Sequence, residues 1–321
     1  MSNTFSLRNS WNLQWKILTL KATREELLNL KPELLLWGLP VTLMAGIGRA
    51  WDNPAEELLI RSGLPSVAYI FVLSAFLYFF IALLRPKNWS YRRLLILVSM
   101  TALPGLLYAI PLEMILKPGD AAAGNTILLF IVAVWRVVIL GYFLAKTTDM
   151  RFTHLVVALF LPLFLIINLL ITQEKFEKTF SAMGGIRKYL VVSDKEAFSK
   201  WKESEEAERK RAAERGEAYN PRYSTPLPYQ TDNNKMGETI YLQGGFREDS
   251  PIPPGLREIA WDDPHYLPPS PVMFLIRPLG TVSWYAAPVL LIYYVGVVIG
   301  GSIERIKHRR NSKRSDADKL E

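Results

Sequence analysis

Ile131–Leu140 reads IVAVWRVVIL, and the apolar run extends on both sides, from Asn125 to Leu144. It is long enough to cross hydrocarbon, yet Arg136 stands at its centre. An arginine at that depth is expensive, so it must have found acceptors. Which acceptors it finds decides whether the arginine marks a working site or a repair to the bundle.

The surrounding composition fits a membrane chain. Half of the 321 residues are hydrophobic (50%) and 12% are aromatic, and the apolar residues fall in long blocks. Cysteine is absent, which excludes a disulfide framework, a thiol nucleophile and a thiolate metal site. The net charge of +8 comes mainly from basic residues beside the apolar blocks, so orientation in a bilayer explains it and nucleic acid is not an expected partner.

A span needs roughly 20 apolar residues. Six candidates meet or approach that length: Glu33–Gly48, Gly63–Leu84, Leu94–Leu116, Asn125–Leu144, His154–Ile171 and Val282–Gly301. The first is the shortest. Gly48-Arg49-Ala50 resembles a signal-peptide cleavage site, but the acidic residues ahead of it and the length of such a leader favour a span. Arg8, Lys16, Lys21, Arg24 and Lys31 precede span one, Arg85, Lys87, Arg92 and Arg93 follow span two, Lys146 and Arg151 follow span four, and RIKHRRNSKR follows span six. Six spans with both termini in the cytoplasm satisfy the positive-inside rule at every short loop.

The expected fold is therefore an all-α integral membrane protein in five parts. Residues 1–32 form a cytoplasmic interfacial amphipathic segment, 33–171 a five-helix transmembrane bundle, and 172–281 a periplasmic arm. Residues 282–301 form the sixth span and 302–321 a basic cytoplasmic tail. In the first part Trp11, Trp15, Leu18, Leu27 and Leu28 suggest an apolar stripe. Thr23 and Glu26 have capping-box spacing, and Pro32 opens the next helix. A helix lying in the interface is the main reading, and docking on a partner subunit is the alternative.

In the arm, Gly184 and Gly185 end a prolongation of helix five. Ser193 and Glu196 then signal a second helix, which Glu205–Arg209 and Glu206–Lys210 pairs stabilise and Gly216 ends. Phe198 and Trp201 are its only large apolar residues, so a solvated helix is expected. Beyond it, PRYSTPLPY, SPIPPG and DDPHYLPPSP are too rich in proline for helix or central strand. An extended arm follows, with one hairpin near Glu238–Phe246. Tyr219, Tyr223, Tyr229, Tyr241, Trp261 and Tyr266 are its candidate contacts with protein subunits of a membrane complex. A solvated linker and a small self-folded domain are the alternatives.

Glu113 is the first suspect as partner of Arg136, but depth disfavours it. With the intervening turn centred near residue 121, the two lie roughly 10 Å apart along the membrane normal at about 1.5 Å rise per residue. Pro104 and Pro111 lack amide hydrogens, which frees the carbonyls of Met100 and Leu107 at a better level. A guanidinium offers five donors, so Arg136 tied to those carbonyls would repair the kinks of helix three. The functional alternative gathers Arg136, Glu113, Tyr108, Asn125 and Asn168 into a polar cluster around a substrate or ion.

Gly296 and Gly300 form GxxxG in span six and point to close packing, within the chain ahead of dimerisation. No HExxH, GxSxG, phosphate loop or GxGxxG is present, and His154, His265 and His308 lie far apart. Asp262, Asp263 and His265 in WDDPHY read as a turn between prolines. No catalytic residue, cofactor or metal is expected.

TALPGLLYAIPLE followed by VAVWRVVILGYFL resembles uncharacterised bacterial multi-pass inner-membrane proteins, similar in layout to Yip1-type membrane proteins. The resemblance covers roughly Pro32 to Gln173 and implies neither a reaction nor a catalytic residue. The expectation is an accessory or scaffold subunit of a membrane complex, surrounded by membrane lipid. A small transporter or channel using Arg136 and Glu113 is the alternative.

Overall fold

The computed structural model describes residues 7–48, 62–110, 112–116, 118–173, 186–217, 227–229, 240–244, 251–259 and 271–317. Helices dominate them. Four stretches are long and apolar enough to cross a membrane: Leu64–Ala82, Ala123–Thr147, Phe152–Thr172 and Arg277–Ile303. The chain is a helical, multi-pass membrane protein, with four full-length candidate spans among the described residues where six were expected.

The two missing spans exist as shorter pieces. Pro32–Leu34 is a turn of 3-10 helix leading into α3 (Leu35–Gly48), which has only fourteen residues and carries Pro40. The expected third span is broken. It comprises α5 (Tyr91–Met100), a 3-10 segment Leu103–Ala109 and the short α6 (Leu112–Ile115). Pro104 sets the break, because it cannot donate to the carbonyl of Met100 and its ring resists continuation of an α-helix. Leu94 to Met100 are all buried, so α5 is enclosed by its neighbours on every side. A fully wrapped helix needs no lipid-facing length, and ten residues suffice.

Around it stand α4 (Leu64–Ala82), α7 (Pro118–Thr147) and α8 (Phe152–Thr172). The last helix, α10, runs from Pro271 to Ala317 and packs along α8, beginning before the expected sixth span and continuing into the basic tail. The main core joins Ile70, Leu77 and Ile81 of α4 to Leu94–Met100 of α5 and to Ile139, Leu144, Val157 and Leu161.

The N-terminal segment forms α1 (Leu7–Leu18) and α2 (Arg24–Leu28), with the capping box between Thr23 and Glu26 present as read. It does not lie wholly on the surface, however. Ser10, Gln14, Ile17 and Leu18 are buried against the bundle, while Trp11 and Trp15 remain exposed.

Beyond α8, the described residues of the expected arm pair into strands and cover them with a helix. β1 (Ile186–Val192), β2 (Leu227–Tyr229), β3 (Ile240–Gly244) and β4 (Leu256–Glu258) make an antiparallel sheet in the order β2-β3-β1-β4. In register, Leu190 faces Tyr241 on one side and Glu258 on the other. Helix α9 (Lys195–Glu214) covers this sheet with Phe198 and Trp201, which pack on Leu190 and Leu256. Its cap is Asp194, which accepts from the amides of Glu196 and Ala197, rather than the expected Ser193. Gly216 ends it with φ 67°, and the Lys210–Glu206 pair forms at 2.9 Å. Gly255, at φ 81°, accepts the Ser193 and Asp194 amides and lies so close to Phe198 that any side chain there would collide. Among the alternatives for the arm, these residues take the small folded unit.

Candidate functional site

The break after α5 exposes helix-end carbonyls in the middle of the bundle, where water cannot serve them. Local groups serve the carbonyls of Leu97, Val98 and Ser99, and two further carbonyls are met by side chains from other elements. Met100 O, deprived of a donor by Pro104, accepts 2.7 Å from Nε2 of the fully buried Gln14. Thr101 O accepts 3.2 Å from Nε of the half-buried Arg136. Gln14 is itself fixed by Trp37, whose Nε1 donates to Oε1 at 2.7 Å.

The same device serves the end of α1. Trp135 Nε1 donates 2.9 Å to Leu18 O, and the Tyr142 hydroxyl donates 2.6 Å to Ala22 O. One helix, α7, thus carries three donors, Trp135, Arg136 and Tyr142, each satisfying a carbonyl where another segment stops. Arg136 also places its charge at the negative end of the α5 dipole. Its acceptor lies in the third segment, as expected, but the carbonyl is that of Thr101 rather than Met100 or Leu107. The N–H of Ile110 takes Leu107 O at 3.4 Å.

The proposed polar cluster does not assemble among the described side chains. Asn168 sits in α8 and clamps α10, with Nδ2 3.3 Å from Ser283 O and Oδ1 3.0 Å from Ser283 Oγ. Asn125 is buried in α7 eleven residues before Arg136, roughly 16 Å along the helix axis. The side chains of Tyr108 and Glu113 lie outside the described residues.

Gly296 and Gly300 have nothing within 4 Å of an added Cβ among the described residues, so they mediate no packing among them. Gly301 is the glycine that receives a neighbour. Arg85 of the α4–α5 turn donates to Gly301 O, and its other terminal nitrogen lies 3.4 Å from Ser302 Oγ. Tyr294 adds a bond of 2.9 Å to Phe80 O and stacks on Phe80 with centroids 4.6 Å apart.

In the folded unit, Tyr241 contributes to the core and meets Phe198 edge to face at 5.1 Å, so it is not a free arm contact. Tyr229 falls in β2 with its side chain outside the described part. Tyr219, Tyr223, Trp261, Tyr266 and the Asp262–His265 group lie outside the described residues. No group of three or more potential metal ligands occurs among the described residues.

Gln14, Trp37, Trp135 and Tyr142 were missed by sequence reasoning. A lone glutamine in an amphipathic helix carries no sign of which face is buried. The residue pair Trp135-Arg136 was the available signal, since two strong donors side by side in an apolar span imply acceptors nearby. No family model, curated protein or solved structure matches this chain.

Proposed function

We propose that this chain is a non-catalytic accessory or scaffold subunit of a protein complex in the bacterial inner membrane, with both termini in the cytoplasm. Its folded unit, within residues 172–281, is the periplasmic partner-binding part. The observation that carries this reading is the division of labour in the chain. Inside the bundle, Gln14, Arg136 and Asn168 are engaged on backbone or neighbouring side chains. Outside it, an α+β unit with its own core is held between two long helices. A chain whose Gln14, Arg136 and Asn168 serve packing, and which carries an α+β unit with its own core, suits assembly better than chemistry.

Purification of the full chain in mild detergent, followed by crosslinking and mass spectrometry, tests the reading. A stoichiometric partner crosslinked to 186–258 is expected. A solitary chain, or crosslinks confined to the tail, overturns it. A transporter or channel that uses Arg136 and Glu113 is the competing reading, favoured by the charge at mid-span. Proteoliposome uptake abolished by Arg136→Gln in a folded chain would establish that reading instead.

A further inference from the structure

The turns at one end of the bundle form a single latched platform. Lys87 N donates 3.1 Å to Thr148 O, and Asn88 Nδ2 donates 3.3 Å to Thr147 O, which ties the α4–α5 turn to the α7–α8 turn. Arg93 donates 2.6 Å to Asn88 O, and Arg24 of α2 pairs with Asp149 at 3.1 Å. Among the described residues, four non-glycine residues have positive φ: Arg85, Asn88 and Asp149 in these two turns, and Leu20 in the turn between α1 and α2. Left-handed backbone at such residues persists only where surrounding contacts impose it, and binding surfaces are one place where it recurs.

Among the described residues, this platform presents cations without an ion-pair partner. Lys21, Lys87, Lys146 and Arg151 are exposed. None of the four forms an ion pair among the described residues, and the neighbouring acid, Asp149, is already taken by Arg24. Lys146 lies over the Tyr142 ring at 5.7 Å, and Tyr142 in turn holds Ala22 beside Lys21, so the N-terminal turn joins the same surface. Orientation by positive charge explains why these residues share one side. It does not explain why their turns are strained and cross-latched.

We propose that this platform is a binding site for the phosphodiester headgroups of anionic phospholipids. It sits where α4 and α7 end and α8 begins, the level at which headgroups lie. The latched turns hold the backbone that carries these basic groups at that level, where each cation gains from a headgroup phosphate. Trp89, stacked on Tyr78 at 5.9 Å and donating to Tyr78 O, supplies an aromatic neighbour typical of that level.

The test uses the full chain in nanodiscs and by native mass spectrometry from mild detergent. Phosphatidylglycerol should remain bound in preference to phosphatidylcholine, and raised salt should weaken that preference. Removing cations one at a time should weaken retention by roughly fivefold each. Lys87→Gln is the single variant, and Lys87→Gln with Lys146→Gln and Arg151→Gln is the triple. Lys200→Gln with Lys210→Gln on α9 should change nothing. If the triple variant does not fold, the single variant and the salt series on the unaltered chain decide. Equal retention of both lipids, or undiminished retention in a folded variant, overturns the proposal. So does inorganic phosphate, without lipid, stabilising the chain to heat as much as phosphatidylglycerol does.

Discussion

Two helices of this chain answer the membrane in opposite ways. Helix α5 has ten residues, and from Leu94 onward every one is buried. Helix α10 has forty-seven, and only 11% of its most apolar window is buried inside the chain. The long helix keeps its backbone bonds internal and leaves Val289, Ile292 and Ile299 outward for lipid. The short one stops inside the bundle, and its last carbonyls become the responsibility of other elements. Interruption is tolerated where protein supplies donors.

The strongest way to break this comparison is to remove a donor at the end of α5. Gln14→Leu keeps apolar volume but strands Met100 O and leaves Trp37 Nε1 without its acceptor. A stranded buried group costs about 1–3 kcal/mol and Trp37 is only part-buried, so a loss of about 2–4 kcal/mol is expected in thermal unfolding of the detergent-solubilised chain. An unchanged midpoint would mean that α5 does not depend on α1.

A smaller effect is expected where α10 meets the bundle. Gly301→Ala would place a methyl group against the Arg85 guanidinium and displace it from Gly301 O. Arg85 lies near the surface and can turn to water, so about 1 kcal/mol is the expected loss. Together with Arg85→Gln the losses should not add, because both changes break one contact.

These contrasts also show what the residues disclose in advance. The four full spans follow from the length of their apolar blocks, and Arg136 from its level relative to Pro104. The break itself was only half legible: Pro104 announced a kink, but nothing local announced that α5 would be wholly enclosed and therefore free to end. The sheet was hidden for a different reason. Its strands have three to seven residues, and β2 and β4 lie among prolines that argue for extended chain. Pairing between β1 and β3 across some fifty residues leaves no local periodicity to read. Phe198 and Trp201 looked too few to dock a helix, yet a small sheet needs no more.

Acid should loosen α1 slightly. The Lys16 ammonium, followed by the Thr23 backbone amide, holds the Glu26 carboxyl below the ordinary carboxylate range. A depressed carboxylate contributes stability above its unfolded pKa and loses it as pH falls through the folded value. The Lys16–Glu26 pair at 2.6 Å is partly exposed, so screening limits the contribution to about 0.5 kcal/mol. The thermal midpoint should therefore fall between pH 5 and pH 3 by slightly more in the native chain than in Glu26→Gln. Identical acid profiles would show that this pair does not anchor the turn between α1 and α2.

The smallest expected effect is the most telling about α10. If Gly296 and Gly300 packed against another helix of the same chain, an added methyl group would separate the two backbones and cost stability. Among the described residues open space surrounds both positions, and Arg85 meets Gly301 instead. Gly296→Ala should leave the unfolding midpoint unchanged or raise it slightly, because alanine favours helix over glycine by about 1 kcal/mol in water and lipid reduces that difference. A clear loss in the isolated chain would place a hidden partner against α10 and end the contrast with α5. A loss seen only when several chains associate would put that partner in a second copy, with the intramolecular face still open.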